Sequence, residues 1–356
     1  MRPAELRTES VQVTGDRKAL AVDVHCHVLT LEVEALVSSD PEKQAETNAQ
    51  LRMYGAESVE YNRKLFASLI PQLTDINERL RQMDAMGVDV QVISPSPNQY
   101  YYWANIDLAK QIVAAQNERI GSVCAAHRDR LRGLGNVALQ HPELSVEQLA
   151  DCVRKFGLRG VEISSAVNGL ELSDERFDRF WSKAEELGCL VFIYPLGTSL
   201  GERVNRHYLG NIIGQPIETT IALSHLIFGG VLDRYPGLRI CAAHGGGYLP
   251  SYIGRSDHGF DVRPEAGKIK HKPSEYLKRI YFDSLVYTAE GLRHLIEEVG
   301  VTQIMLGTDY PFDMGAYDPH NYIAAVPGLT EQERELVLGG NAARLLGLNA
   351  AAALTA

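Results

Sequence analysis

The sequence predicts an α/β fold in which eight β/α units close into a barrel, with a small insertion after strand one. Three observations carry that expectation. Eight short β-rich runs can be counted from Ala21 onward. Helical patterns separate most of them, the mark of parallel β/α units. No GxGxxG follows the first run, which weakens the doubly wound open sheet as the alternative. A chain of 356 residues is long for one domain, but a (β/α)8 TIM barrel reaches this size as a single unit. One domain over residues 1–356 is therefore expected.

Residues 1–18 are polar and read as a flexible or strand-forming extension. The first strand is AVDVHCHV. Its alternation puts Val22, Val24, Cys26 and Val28 on one face and Asp23, His25 and His27 on the other. Residues 30–72 are mixed and polar, an insertion expected to act as a lid. Its Arg52, Arg63 and Lys64 are candidate carboxylate contacts, with exposed, solvated charges the stronger reading. DINERLRQMDAMG predicts a helix: Ile76, Leu80 and Met83 share a face, Asp75 and Glu78 mark the start and Gly87 the stop. VDVQVIS is the second strand, and the aromatic PNQYYYW follows it, read as packing or interface before pocket lining. A long helix is expected near 106–129, then strand RGLGNVAL, helix VEQLADCVRKFG and strand LRGVEIS. DERFDRFWSKAEELG places Phe177, Trp181 and Ala184 on one helical face. Strands CLVFIYP, LRICAAH, RIYFDS and VTQIMLGTD complete the eight, with helix GLRHLIEEVG before the last and a terminal helix over about 330–347.

Composition narrows the function classes. The net charge of −10 and the absence of a basic stripe argue against a nucleic-acid partner. No apolar run approaches membrane-spanning length, and the first residues lack a signal-peptide core. Five dispersed cysteines without a CxxC pair read as reduced thiols, and so as a cytoplasmic location.

A barrel keeps its chemistry at the C-terminal ends of its strands. Strand one ends in His25-Cys26-His27, strand six in His244 followed by Gly245 to Gly247, and strand eight in Asp309. His127, His141, His258, His271 and His294 fall in helices or loops and read as ordinary; His207 and His225 fall in a helical stretch, and His320 in a loop. The rim thus gathers His25, His27 and Asp309, the three protein ligands that an open metal site needs. His244 is left to move protons, its unperturbed pKa lying near neutrality. One divalent transition metal is expected, zinc first and manganese second.

The ordered set DVHCHV, PIETTIA, CAAHGGG, GRSDHGF and LGTDYPF resembles the amidohydrolase superfamily. More narrowly, it is similar to the branch typified by 2-amino-3-carboxymuconate-6-semialdehyde decarboxylase, over about residues 20–347. The resemblance implies a metal-dependent, non-oxidative decarboxylase of an unsaturated or aromatic carboxylic acid. His25, His27 and Asp309 would be its metal ligands and His244 its catalytic histidine, with Asp309 counted in both sets. Arg255 matches an arginine that reaches the neighbouring subunit's substrate in dimers of the branch, so a homodimer is implied. Tyr208 and Phe312 match aromatic positions of the substrate pocket. Hydratases and C–C or amide hydrolases, which would use metal-bound hydroxide on the same site, are the alternative; a barrel that only binds is a further one.

Strand five departs from the family pattern. A metal-ligating histidine is expected before the proline, and this chain has Tyr194 before Pro195. A neutral phenol, with a pKa of about 10, binds a divalent ion poorly. Three consequences stay open: a metal held by three residues and extra water, Tyr194 coordinating as a phenolate, or a metal-weak site with changed chemistry; a retained metal with altered affinity is favoured, and Tyr194 joins the substrate-binding candidates.

Overall fold

The computed structural model describes residues 9–11 and 19–350. Eight parallel strands line the barrel: β1 (Val22–Val28), β2 (Val90–Pro95), β3 (Leu131–Gly133), β4 (Gly160–Ser164), β5 (Leu190–Tyr194), β6 (Arg239–Ala242), β7 (Tyr281–Asp283) and β8 (Ile304–Met305). They form two strips, β1-β2-β3 and β4-β5-β6-β7-β8. Backbone hydrogen bonds join the strips at both seams. Gly135 N–H donates to Gly160 O and Glu162 N–H to Gly135 O, each at 2.9 Å. On the other side Val24 N–H donates to Leu306 O at 2.9 Å, Asp309 N–H to His25 O at 2.8 Å and His27 N–H to Tyr310 O at 2.8 Å. The ring therefore closes, as the sequence predicts. From the N-terminal extension, Glu9–Val11 pairs parallel with Leu348–Ala350; the rest of residues 1–18 lies outside the described residues.

Two strands are shorter than their apolar runs. In RGLGNVAL the strand stops at Gly133, Gly135 bonds across to β4, and Asn117 takes the backbone groups beyond: its amide donates to Asn136 O at 2.9 Å and accepts from Asn136 N–H at 2.8 Å. In VTQIMLGTD the first three residues form a 3₁₀ turn, and Asp23 accepts the Thr308 N–H at 3.0 Å.

Two apolar layers surround the strands. Val22, Val24, Val90, Val92, Leu190, Phe192, Cys241 and Met305 fill the barrel interior. Cys26, Ile93, Val161, Val191, Ile240 and Phe282 pack outward against helix residues such as Met83, Phe180, Trp181 and Leu223. Burying each large apolar side chain contributes about 1.5–3 kcal/mol.

The expected alternation of β1 is overturned. Its register against β2 shifts between Asp23 and Cys26. This bulge lets Val24 and His25 both face inward: Val24 belongs to the interior cluster, and the His25 ring lies 5.1 Å from that of Phe192. Asp23 consequently does not share a face with the histidines. It points to the outer layer, where it accepts from Gln91 Nε2 at 3.0 Å and Thr308 Oγ1 at 2.7 Å.

The insertion after β1 is helical: α1 (Leu31–Val37) and α2 (Pro41–Thr74), the latter broken at Gly55. Gly55 adopts φ 76°, and a Cβ there would fall 2.1 Å from Asn205 O. Helix α3 (Ile76–Met86) begins at an Asp75 cap and ends at Gly87, φ 70°. The outer ring continues with α4 (Ile106–Ala126), α5 (Pro142–Arg154), α6 (Asp178–Leu187), α7 (Gln215–Phe228), α8 (Ile253–Val262) and α9 (Ala289–Val299). The expected terminal helix is present as Glu331–Glu335 and Asn341–Leu346, with a π turn at Leu336–Gly340 between them. His207 sits in a turn at φ 58° instead of the expected helix.

Candidate metal centre and its cavity

His25, His27 and Asp309 meet at the C-terminal rim, all three buried, and their ligand-type atoms lie within 4.8 Å of one another. Asp309 Oδ1 is 3.2 Å from His25 Nε2 and 3.1 Å from His27 Nε2. A tetrahedral cation bound at ~2.0–2.1 Å separates its ligand atoms by about 3.3 Å, so these spacings suit one. His25 Nε2 is buried without a hydrogen bond. Its other nitrogen is engaged: Asp283 Oδ2 lies 2.6 Å from Nδ1. A buried imidazole with one nitrogen held by a carboxylate and the other orphaned is the usual state of a ligand awaiting its metal. The donor set fits a divalent transition metal, and His25, His27 and Asp309 would hold it.

The electrostatics are consistent with this. Burial opposes a charge on His25, but the carboxylates of Asp309 and Asp283 outweigh it and hold its pKa well above the usual imidazole value. Burial likewise opposes the Asp309 charge, yet His25, His244 and His27 keep that carboxyl well below the usual range. Asp283 is lowered too, His25 prevailing over burial. A cation would replace the proton that binds this cluster together.

His244 follows β6 at φ 55°, and Asp309 follows β8 at φ 59°. The His244 N–H donates to Asp283 Oδ2 at 2.9 Å and that of Gly245 to Asp283 Oδ1 at 2.7 Å. His244 Nε2 lies 3.8 Å from Asp309 Oδ2, while its Nδ1 is buried without a partner. Asp283 thus holds His25 and the His244 backbone with one carboxylate. Gly307 makes the approach possible, because a Cβ there would sit 2.7 Å from Asp283 Cβ and 2.9 Å from His25 Cβ.

Tyr194 lies on this rim, its ring centroid 5.3 Å from His25, 4.9 Å from His27 and 5.2 Å from His244. Burial, then the charges of Asp309 and Glu162, push its phenol well above the usual value. A bound cation would act in the opposite sense. Phe312 packs 5.2 Å from the His27 ring, and Tyr208, half-buried at φ 60°, feels the charges of Asp313 and Asp309. Arg255 is exposed on α8 and is not among the residues lining the cavity of its own chain.

That cavity measures about 400 Å³, with His244 and Asp309 among its lining residues. Ile212, Leu285, Val286 and Met314 give it an apolar wall, with Asn211, Gln215 and Ser251 as polar members. His294, expected to be an ordinary helix residue, also lines it. The lid charges behave as solvated groups: Arg63 and Lys64 both pair with Glu60 at the surface, and Arg52 is exposed. Sequence reasoning missed Asp283 and Glu162, buried carboxylates at the end of β7 and midway along β4. The strand-end rule that selected His244 applies equally to Asp283 in YFDS, whereas Glu162 in VEIS stands two residues before the end of β4. Glu162 accepts from Tyr100, which brings the aromatic run after β2 into the site's surroundings.

Fold and site define a (β/α)8 barrel carrying a rim site for one divalent cation. The chain belongs to the amidohydrolase family, whose model matches residues 22–348. It is 36% identical to the 2-amino-3-carboxymuconate-6-semialdehyde decarboxylase of Dictyostelium discoideum over 288 residues, 80% of each chain. The crystal structure of 5-carboxyvanillate decarboxylase from Sphingomonas paucimobilis superposes with a TM-score of 0.82 at 26% identity, covering 93% of this chain and 100% of that one. A dihydroxybenzoic acid decarboxylase from Polaromonas, with bound manganese and 2-nitroresorcinol, shares the fold with a TM-score of 0.78 at 23% identity, covering 95% and 100%.

Proposed function

We propose that this protein is a metal-dependent, non-oxidative decarboxylase of an unsaturated or aromatic carboxylic acid. The observation that carries the reading is the buried His25–His27–Asp309 cluster, with its orphaned His25 Nε2, which reaches a largely apolar cavity through Asp309, beside His244. The decarboxylases among the relatives support the reaction class.

The ion is zinc first and manganese second; when bound it would stabilise negative charge developing on the substrate as carbon dioxide leaves. The apolar wall would seat the planar body of the substrate and exclude water. Loss of carbon dioxide leaves an electron pair on the substrate carbon, and the His244 imidazole is placed to manage the proton that carbon takes up. Asp309 stays ionised among three imidazoles and ties His244 to the centre. Tyr194, Tyr208 and Phe312 contact the substrate. Arg255 completes the site from a second copy, giving a homodimer in which a guanidinium forks onto a carboxylate. Its exposure on α8 supports that role. One domain spans residues 1–356, and five free cysteines support a cytoplasmic location.

The test is a panel of acids that includes the substrates named for the relatives. The purified, metal-supplemented protein should release carbon dioxide from at least one. Water addition without carbon dioxide release would assign hydratase chemistry instead. Failure to hold any divalent metal would overturn both.

A further inference from the structure

Strand β4 carries, midway along it, a carboxylate to which the proposed reaction gives no task. Glu162 is fully buried, and both of its oxygens are engaged. Oε2 accepts from the Ser94 hydroxyl at 2.7 Å and Oε1 from the Tyr100 hydroxyl at 2.6 Å. Ser94 stands opposite His27 in the register of β1 and β2, with its Oγ 3.3 Å from His27 Nδ1. A hydroxyl has one proton to give. The Glu162 contact at 2.7 Å claims it over the Cys26 carbonyl at 3.1 Å, leaving the serine oxygen to accept from His27. The other neighbours of Nδ1 also accept: Pro95 O at 3.4 Å and Glu162 Oε2 at 3.7 Å. Surrounded by acceptors, Nδ1 carries a proton, and Nε2 is the atom presented to the ligand cluster.

We infer that Tyr100, Glu162 and Ser94 form a buried hydrogen-bond relay that positions His27 to bind metal through Nε2. The inference rests on the proposed metal site. The two imidazoles are then supported unequally. His25 leans directly on Asp283 at 2.6 Å, whereas His27 leans on Glu162 through a neutral hydroxyl. Tyr100, in the turn after β2, fixes the far oxygen of Glu162, so the relay ties together β1, β2 and β4. These are positioning residues; none is placed to touch substrate.

The experiment measures zinc and manganese affinity by chelator competition and records ¹⁵N-histidine spectra. The parent is compared with Ser94→Ala, Glu162→Gln, the double variant and Tyr100→Phe. A relay predicts that each of the first two weakens both metals by about 10–100-fold. The double variant should be no more than about twofold weaker than the poorer single one, since both cut one chain. The His27 Nδ1–H resonance should move in each, with that of His25 unmoved, and Tyr100→Phe should give a smaller loss of the same sign. Parental affinity with an unmoved His27 resonance overturns the relay, and so do losses that multiply in the double variant. A parent that holds no metal overturns the proposed metal site instead, and the His27 resonance then decides the relay alone. Should Glu162→Gln fail to fold, Ser94→Ala combined with Tyr100→Phe carries the same comparison.

Discussion

His244 touches the cavity with its side chain and Asp283 with its backbone, which separates its chemistry from its placement. Truncating the imidazole removes the proton carrier and leaves the Asp283 contacts in place. His244→Ala should therefore keep fold and metal while turnover drops by about 100-fold or more; steady-state rates alongside metal analysis check both halves. Tyr194 offers a second test at this scale. It already stands within 5.3 Å, ring to ring, of both ligand histidines, so Tyr194→His would aim a third imidazole at the centre. Zinc should bind more tightly, with no required gain in activity, because an extra ligand can close the open position. Tyr194→Phe separates a polar role from packing: turnover or metal content falls if the hydroxyl is used, and parental values in both assign Tyr194 to packing alone.

Strand β7 contributes one short segment, yet its last residue supports two others. Asp283 accepts from His244 N–H and Gly245 N–H and lies 2.6 Å from His25 Nδ1. Asp283→Asn should lower metal affinity by about 10–100-fold, read by chelator competition, and should lower turnover as the turn after β6 loosens. Elements differ in how far the sequence disclosed them. Most of the eight strand runs and the faces of α3 and α6 were legible, since apolar spacing and the Gly87 and Gly188 stops are local signals. The bulge in β1 was not: DVHCHV alternates without a flaw, and only pairing with β2 shows the slipped register. Helix α2 was obscured for a different reason. Of its side chains only Leu69 and Leu73 are buried, so it carries no apolar stripe to read. At the site, the histidines and Asp309 stood out by residue type, while Asp283 and Glu162 looked like ordinary acids until the fold buried them.

Across the molecule, the metal cluster couples folding to pH. In the metal-free chain His25 is raised, so its contribution is complete below the unfolded value near 6.5 and is lost as pH rises through its folded pKa. Asp309 and Asp283 are lowered, so theirs is present above about 3.9 and is lost as pH falls through their folded values. The cluster alone thus favours the fold most between about pH 4 and about pH 6.5. A metal must displace the His25 proton, so its stabilisation grows with pH, reaching about 2.7 kcal/mol at a hundredfold excess over Kd. Thermal unfolding with and without zinc should show a gap that widens from about pH 5.5 to about pH 8; a constant gap would count against His25 as a proton-bearing ligand. The quaternary proposal has its own measurement. Mixing Arg255→Ala chains with His244→Ala chains should restore activity, because one of the two sites in a mixed dimer is whole. Confirmed subunit exchange without recovered activity would remove the shared site.

Both His244 and Asp309 hold the left-handed backbone that glycine adopts freely and other residues adopt at about 1–2 kcal/mol. On backbone conformation alone glycine would suit each position better, and the proposed chemistry admits it at neither. At these two rim positions backbone comfort and the proposed reaction pull apart, and a glycine that relaxed either turn would also remove a proposed ligand or proton carrier.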